Sequence, residues 1–350
     1  MRKIFPFVTC ALLATGLLAT GLIATQGQDR TLIFYTWSDY MDPQIIKNFE
    51  QKFKVKVAQS FYESDDDMFA KLRLNGTNQY DLVVPSTALG TAMIRSGVLK
   101  KLEAAKLPNL KNLGPRFRKL PNGASDYLVP YQWGTMGVAY RSDKVPKLEQ
   151  SWAVFFDPKK QAGPFAMLDV PHETIGAALK FMGKSLNSRN ANEVKGTLPM
   201  LESAVKRSVG LTGGTDAGSK LAAGLVTYAM TYSGNAIKIA EENKQIKYFI
   251  PKEGSELFLD AIAIPAQAPH ADLAYQFINY LLEPKVAAQL SNYNRYGTPN
   301  AAAKPFILPA DLANPIIYPS EKDMGRLELI DGLEDAVKVY DAVWTRLKAR

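Results

Sequence analysis

The sequence predicts an α/β chain folded into two lobes, and three observations lead there. Beyond the N-terminal segment, β-rich apolar runs alternate with runs of helical spacing. Comparable material recurs in the second half. The length, 350 residues, suits two domains of about 100–200 residues each. Apolar residues make up 47% of the chain and charged residues 22%, which leaves enough apolar side chain for a core in each half.

Residues 31–37 read as a strand ending in Trp37. Asp42 and Pro43 follow as an N-cap and a proline at the first helical position, where a missing N–H costs nothing. Ile45, Ile46, Phe49 and Phe53 then carry helical spacing. Residues 55–62 are a second strand. Ser64-Asp65-Asp66-Asp67 resembles a capping box that opens a helix through Met68, Leu72 and Leu74 to Gly76. Residues 80–85 form a continuous apolar run of the kind buried in a parallel sheet, and 87–97 the next helix. The order βαβαβα implies a parallel-rich sheet with helices on it.

Residues 127–140 are β-rich but interrupted at Gly134 and Gly137, which suits a strand that bends as it passes between lobes. Helices are expected at 173–184 and 193–209, strands at 226–233, 246–251 and 259–265, and helices again at 271–282, 284–290 and 333–347. A second lobe inserted into the first accounts for this order, with the chain crossing back near 260–265. The expected division is 29–136 plus 263–306 for the first lobe and 137–262 plus 307–350 for the second.

Arg2 and Lys3 precede a charge-free apolar run from 8 to 24, and Ala24, Thr25 and Gln26 then lead to Asp29 and Arg30. Basic, apolar, small: this is the order of a secretory signal peptide, placed at 1–28. An uncleaved membrane anchor is the alternative reading, since the run is close to the roughly 17–25 residues that span a bilayer. Both put the folded part outside the cytoplasm. The only cysteine, Cys10, lies in this segment, so the rest of the chain has no disulfide, no Cys nucleophile and no Cys-bound metal. The net charge of +8 is scattered. Its densest groups, Lys100-Lys101 and Arg116/Arg118/Lys119, have no interleaved aromatic residues and read as solvated surface, not as a nucleic-acid face.

Several short segments occur in a telling order. They are Phe34-Tyr35-Thr36-Trp37-Ser38-Asp39-Tyr40, Tyr62-Glu63-Ser64, Tyr80-Asp81-Leu82-Val83-Val84-Pro85-Ser86-Thr87, Pro130-Tyr131-Gln132-Trp133-Gly134, Pro251-Lys252-Glu253-Gly254, Asp260-Ala261-Ile262-Ala263-Ile264-Pro265 and Tyr296-Gly297-Thr298-Pro299-Asn300. In these segments and their order the chain resembles the periplasmic spermidine/putrescine-binding proteins. The resemblance implies a two-lobed periplasmic-binding-protein-like fold, with ligand in the cleft between the lobes and closure on binding. It implies delivery to the membrane permease of an ABC importer, and no chemistry on the ligand.

A polyamine carries ammonium groups separated by methylenes. Taking an ammonium out of water costs several kcal/mol, so a site must offer carboxylates. Aromatic walls suit the methylenes, and an ammonium over a desolvated ring gains up to about 2 kcal/mol. By resemblance, the ligand-binding set is Trp37, Ser38, Asp39, Tyr40, Ser86, Glu173, Tyr232, Phe258, Asp260 and Tyr296. Trp37 and Tyr40 follow the first strand at its carboxyl end, where open α/β sheets bind ligands. Asp260 interrupts an apolar strand, and a carboxylate there is rarely free.

The chain also departs from the family. Ala88 stands in place of a tyrosine, Val170 in place of a second amine-binding aspartate, Tyr232 and Phe258 in place of tryptophans, and Ile330 near a glutamine. Asp169, next to Val170, is the expected substitute carboxylate. These departures bear on the length and charge of the ligand. Alternatives are another small cationic or amino-acid-like solute, an extracytoplasmic hydrolase using Glu173 and Asp260, or a tethered sensor. A cofactor, a metal and a nucleic-acid partner are not expected, and the protein reads as a monomer. His172 and His270 show no metal-binding spacing. Residues 213–220 nearly spell a phosphate loop, but with lysine and hydroxyl inverted.

Overall fold

The structure, a computed structural model, describes residues 30–38, 40–62, 64–74, 76–330, 333 and 336–349. The predicted signal segment with Cys10, and Asp39 of the predicted site, lie outside the described residues. Among the described residues no helix is long and apolar enough to cross a membrane.

Among the described residues ten strands build the sheet: β1 Thr31–Trp37, β2 Lys56–Tyr62, β3 Leu82–Val83, β4 Leu128–Arg141, β5 Phe165–Leu168, β6 Leu211–Thr212, β7 Tyr228–Tyr232, β8 Ile246–Phe249, β9 Ser255–Ala263 and β10 Leu327–Leu329. They follow one path, β2-β1-β3-β9-β4-β7-β5-β6, with β10 on β9 and β8 on β4. At one end β1 pairs in parallel with β2 and β3. At the other β5 pairs in parallel with β6 and β7. Between them β4 and β9 run antiparallel.

These two strands join the lobes. The first half of β4 pairs with β9, from Leu128↔Ala263 to Thr135↔Leu257. Its second half pairs with β7 and β8. The register shifts between Pro130 and Gln132, as expected where a proline cannot donate to the ladder. Gly134 and Gly137 fall where β4 changes partners. A Cβ on Gly134 would stand 2.6 Å from the Phe258 ring, so the predicted glycine break is a close approach of strand and side chain.

Local signals placed the first helices well. Asp42 Oδ1 accepts from Gln44 N at 2.8 Å to cap helix Pro43–Phe53, and Ser64 Oγ accepts from Asp67 N at 3.1 Å to cap helix Asp65–Arg73. The single helix expected at 193–209 is two, Ala191–Gly196 and Leu198–Arg207. Pro199 cannot continue a helix but fits the first turn of a new one.

Each lobe has its own core. In the first, Phe34, Phe49 and Phe277 fill one face of the sheet and Tyr35, Leu72 and Met93 the other. In the second, Trp152, Phe155, Phe165 and Tyr228 pack with Tyr340 and Trp344 of helix Val337–Lys348. The contacts of β10 bear on the segment expected to open the C-terminal part of the second lobe. Met324 and Leu327 pack with Tyr35, Leu257 and Leu259 in the first lobe, because β10 adds in parallel to β9. Leu333 and helix Val337–Lys348 then pack in the second.

Candidate functional site

The carboxyl ends of β1 and β3 open onto the cleft. Trp37 ends β1 and packs edge-on to Tyr62, with ring centroids 4.5 Å apart. Ser38 follows in an exposed turn. The main chain of Tyr40 is pinned, since its carbonyl accepts from Tyr131 Oη at 3.1 Å and from Gln132 Nε2 at 3.2 Å. Its phenol is thereby aimed at Asp260, to which it donates a hydrogen bond. Ser86 follows β3 and caps helix Thr87–Arg95 by accepting from Leu89 N at 3.2 Å; its hydroxyl also donates to Asp65 Oδ2 at 2.5 Å.

The second lobe supplies Glu173 from the first turn of helix Pro171–Phe181, where the helix dipole favours an acid. Tyr232, at the end of β7, donates to its carboxylate, lying 2.9 and 2.8 Å from the two oxygens. The two anchors are joined by rings set edge to face. Tyr232 meets Phe258 at 5.6 Å, Phe258 meets Tyr296 at 5.4 Å, Tyr296 meets Tyr40 at 5.8 Å, and Tyr40 meets Tyr131 at 5.9 Å. A continuous aromatic wall therefore runs from Glu173 to Asp260. Edge-to-face pairs of this kind are worth about 0.5–1.5 kcal/mol beyond their buried area, so the wall holds its shape.

A glycine seats part of this wall. A Cβ on Gly234 would fall inside van der Waals contact of Tyr296 Cε1 and Cζ. Gly234→Ala is therefore expected to destabilise the protein by about 1–3 kcal/mol through overpacking, read as a lower melting temperature. An unchanged melt would mean that the Tyr296 ring is free to move.

Not every predicted residue joins the cleft. Asp169, the expected substitute for a carboxylate at 170, is in an ion pair with Lys348 at 2.7 Å. In the ligand-free protein its charge is matched by Lys348 of the C-terminal helix. Two acids that sequence reasoning left out lie beside these residues. Asp65 accepts from Ser86, and Glu256 lies on β9. Successive side chains of a strand alternate faces, so Glu256, Phe258 and Asp260 share one face while Leu257 and Leu259 enter the first-lobe core. The signal for Glu256 was that alternation. It was missed because the strand was expected to start at 259.

Glu173, Glu256 and Asp260 are all withdrawn from water. Burial pushes the Asp260 carboxyl up to about 8, with Asp65 and Glu173 adding to the rise against the lowering hydrogen bond from Tyr40. Burial likewise pushes Glu173 to about 7, with Tyr232 lowering and Asp65 raising it. Glu256 is raised well above the usual carboxylate range by burial, then by the charges of Glu173 and Asp260. Burial also drives the phenols of Tyr40 and Tyr232 upward, so they remain donors. Among the described residues none of these three acids forms an ion pair with Lys or Arg. Nor do three His, Cys, Asp or Glu side chains among those residues come together as a metal site.

The remaining polar motifs are structural. His172 packs against Tyr340 at 5.0 Å, and burial lowers its pKa to about 4. His270 donates its backbone N–H to Asp81 Oδ1 at 2.7 Å. In the glycine-rich 213–220 stretch, Asp216 pairs with Lys220, so that lysine is not displayed to a phosphate.

The sequence matches the family model of bacterial extracellular solute-binding proteins over residues 44–317. It is 32% identical to a spermidine/putrescine-binding periplasmic protein of Salmonella typhimurium, over 97% of each chain. It is 33% identical to the putrescine-binding periplasmic protein SpuD of Pseudomonas aeruginosa, over 92% of each. Among solved structures, a putative spermidine/putrescine ABC transporter protein from Listeria monocytogenes superposes with a TM-score of 0.83 at 32% identity, covering 91% of this chain and 99% of that one.

Proposed function

This chain belongs to the family of bacterial extracellular solute-binding proteins, and from that premise we propose that it captures a linear polyamine such as putrescine or spermidine for an ABC importer. The observation that carries the reading is the set of buried carboxylates without a basic partner. Desolvating such charges costs several kcal/mol each, and a fold retains them where a cation arrives to compensate. Asp260 with Tyr40 forms one anchor and Glu173 with Tyr232 another. Trp37, Ser86, Phe258 and Tyr296 complete the walls, Ser38 follows β1 in an exposed turn, and Asp39 joins the ligand set by resemblance alone.

The lobes divide at β4 and β9, with the C-terminal chain returning to the second lobe after β10. Tyr40 and Tyr296 then belong to the first lobe, Glu173 and Tyr232 to the second, and Asp260 to a crossing strand. A dication held by both anchors draws the lobes together. The closed form, acting as a monomer outside the cytoplasm, hands its cargo to the permease without chemical change.

A thermal-shift panel tests this. A ligand selective for the folded state at about 100 times its Kd adds roughly 2.7 kcal/mol, so putrescine or spermidine is expected to raise the melting temperature by several degrees. Basic amino acids are expected to raise it less, and neutral or anionic solutes not at all. Equal shifts from anionic solutes, or none from any amine, would overturn the reading.

A further inference from the structure

Glu256 is an acid of the cleft that the two anchors leave without a role. It lies four residues before Asp260 on the same face of β9, with Phe258 between them. It is only 4% exposed, and its Oε2 is buried without a hydrogen-bond partner. It shares a pocket with Glu173, beside His172, Lys180 and Ile330. The other titratable groups there do not neutralise it. Lys180 is held by Glu328 at 2.6 Å, and His172 is kept uncharged by burial. Glu256 raises the pKa of Tyr232, the phenol that bonds Glu173, and is itself raised by burial and then by the charge of Glu173. An unpartnered acid at this depth is costly if ionised, and no cation among the described residues relieves it.

We propose that Glu256 is a specificity-determining residue that, together with Glu173, seats a second ammonium group of the cargo, while Asp260 holds the first. This rests on the amine reading and adds to it the number and placement of charges. With a rise of about 3.3 Å per residue, the backbones of Glu256 and Asp260 are roughly 13 Å apart, leaving Phe258 to face the methylenes between two end amines. The cargo is thus a linear molecule with an amine at each end, and a monoamine of the same length satisfies only one seat.

Calorimetry with putrescine, spermidine and butylamine tests the assignment on the full-length protein. The parent protein is expected to bind its preferred polyamine more than tenfold more tightly than butylamine. In Glu256→Gln that preference is expected to fall to about threefold or less, and Glu256→Asp, which keeps the charge on a shorter stem, to retain part of it. Glu256→Gln replaces a buried carboxyl, which must take up a proton or carry an unmatched charge on folding, with a neutral amide of nearly the same shape. Its ligand-free melting temperature should therefore be equal or higher, which separates lost recognition from lost folding. A folded Glu256→Gln protein with the full polyamine preference overturns the role of Glu256 and leaves the cation reading standing. A parent protein that binds putrescine and butylamine equally overturns the two-seat assignment. A parent protein that binds none of the three overturns the amine reading itself.

Discussion

Asp260→Asn is expected to weaken polyamine binding more than tenfold while raising the melting temperature of the ligand-free protein. The substitution keeps an oxygen that can accept from the Tyr40 phenol and removes only the charge. An ammonium then enters a buried site without its counter-ion, a loss of at least about 1.4 kcal/mol, or tenfold in Kd. The rise in stability follows from the same burial. The Asp260 carboxyl sits at about 8 in the folded protein against about 3.9 in an unfolded chain. At neutral pH folding must therefore force a proton onto it, which costs on the order of a few kcal/mol that an asparagine does not incur. Calorimetry with putrescine and spermidine, paired with thermal melting, reads both effects. Unchanged affinity in the variant would remove Asp260 from the ligand. Lost affinity with a lowered melting temperature would assign it to the fold.

The site was legible in the sequence where a residue's chemistry conflicts with its surroundings. Asp260 in an apolar strand is such a conflict, and so is the crowding of Trp37 and Tyr40 behind the first strand. Glu173 was visible only through resemblance, because an acid in a first helical turn has an ordinary explanation in the helix dipole. The ion pair of Asp169 was not legible, for a reason that lies far away in sequence. Its partner, Lys348, is on the C-terminal helix, and no local pattern reveals an ion pair across such a separation. Glu256 shows the opposite limit. Period-two alternation from Asp260 reaches it directly, but the expected strand began after Glu256 and left it unassigned. Boundaries are the least certain part of any pattern reading, and here a boundary concealed a residue of the cleft. In the fold, the alternating first lobe followed from local spacing and caps. The pairing of β10 with β9 did not, because it is a contact between distant segments.

The burial that retains these acids also couples cargo binding to pH, and the sign is fixed by the direction of the shifts. Glu173 at about 7, Asp260 at about 8 and Glu256, also raised, hold protons in the ligand-free protein that their unfolded counterparts, near 4, have lost. Groups with raised folded pKa values contribute stability that is fully present below about pH 4 and is lost as pH rises through 7 to 8. Each costs about 1.4 kcal/mol per pH unit across that window. The ligand-free melting temperature is therefore expected to fall between about pH 5 and 8, and to fall less in Asp260→Asn. A bound ammonium favours the ionised carboxylates and pulls their pKa values back down, so binding releases protons. At pH 7 the release is expected to be at least about one per molecule, since Asp260 is then mostly protonated and Glu173 about half, and any ionisation of Glu256 adds to it. Affinity accordingly rises from pH 6 to about 8.5, below the range near 10 where an alkyl ammonium itself deprotonates. Titrations in buffers of differing ionisation enthalpy count these protons directly, and Asp260→Asn is expected to release about one fewer. Proton uptake on binding, or an affinity constant from pH 6 to 8.5, would mean that the acids are already ionised before the cargo arrives. The cleft would then be wet and open at rest, and cargo binding would close it without any change in protonation.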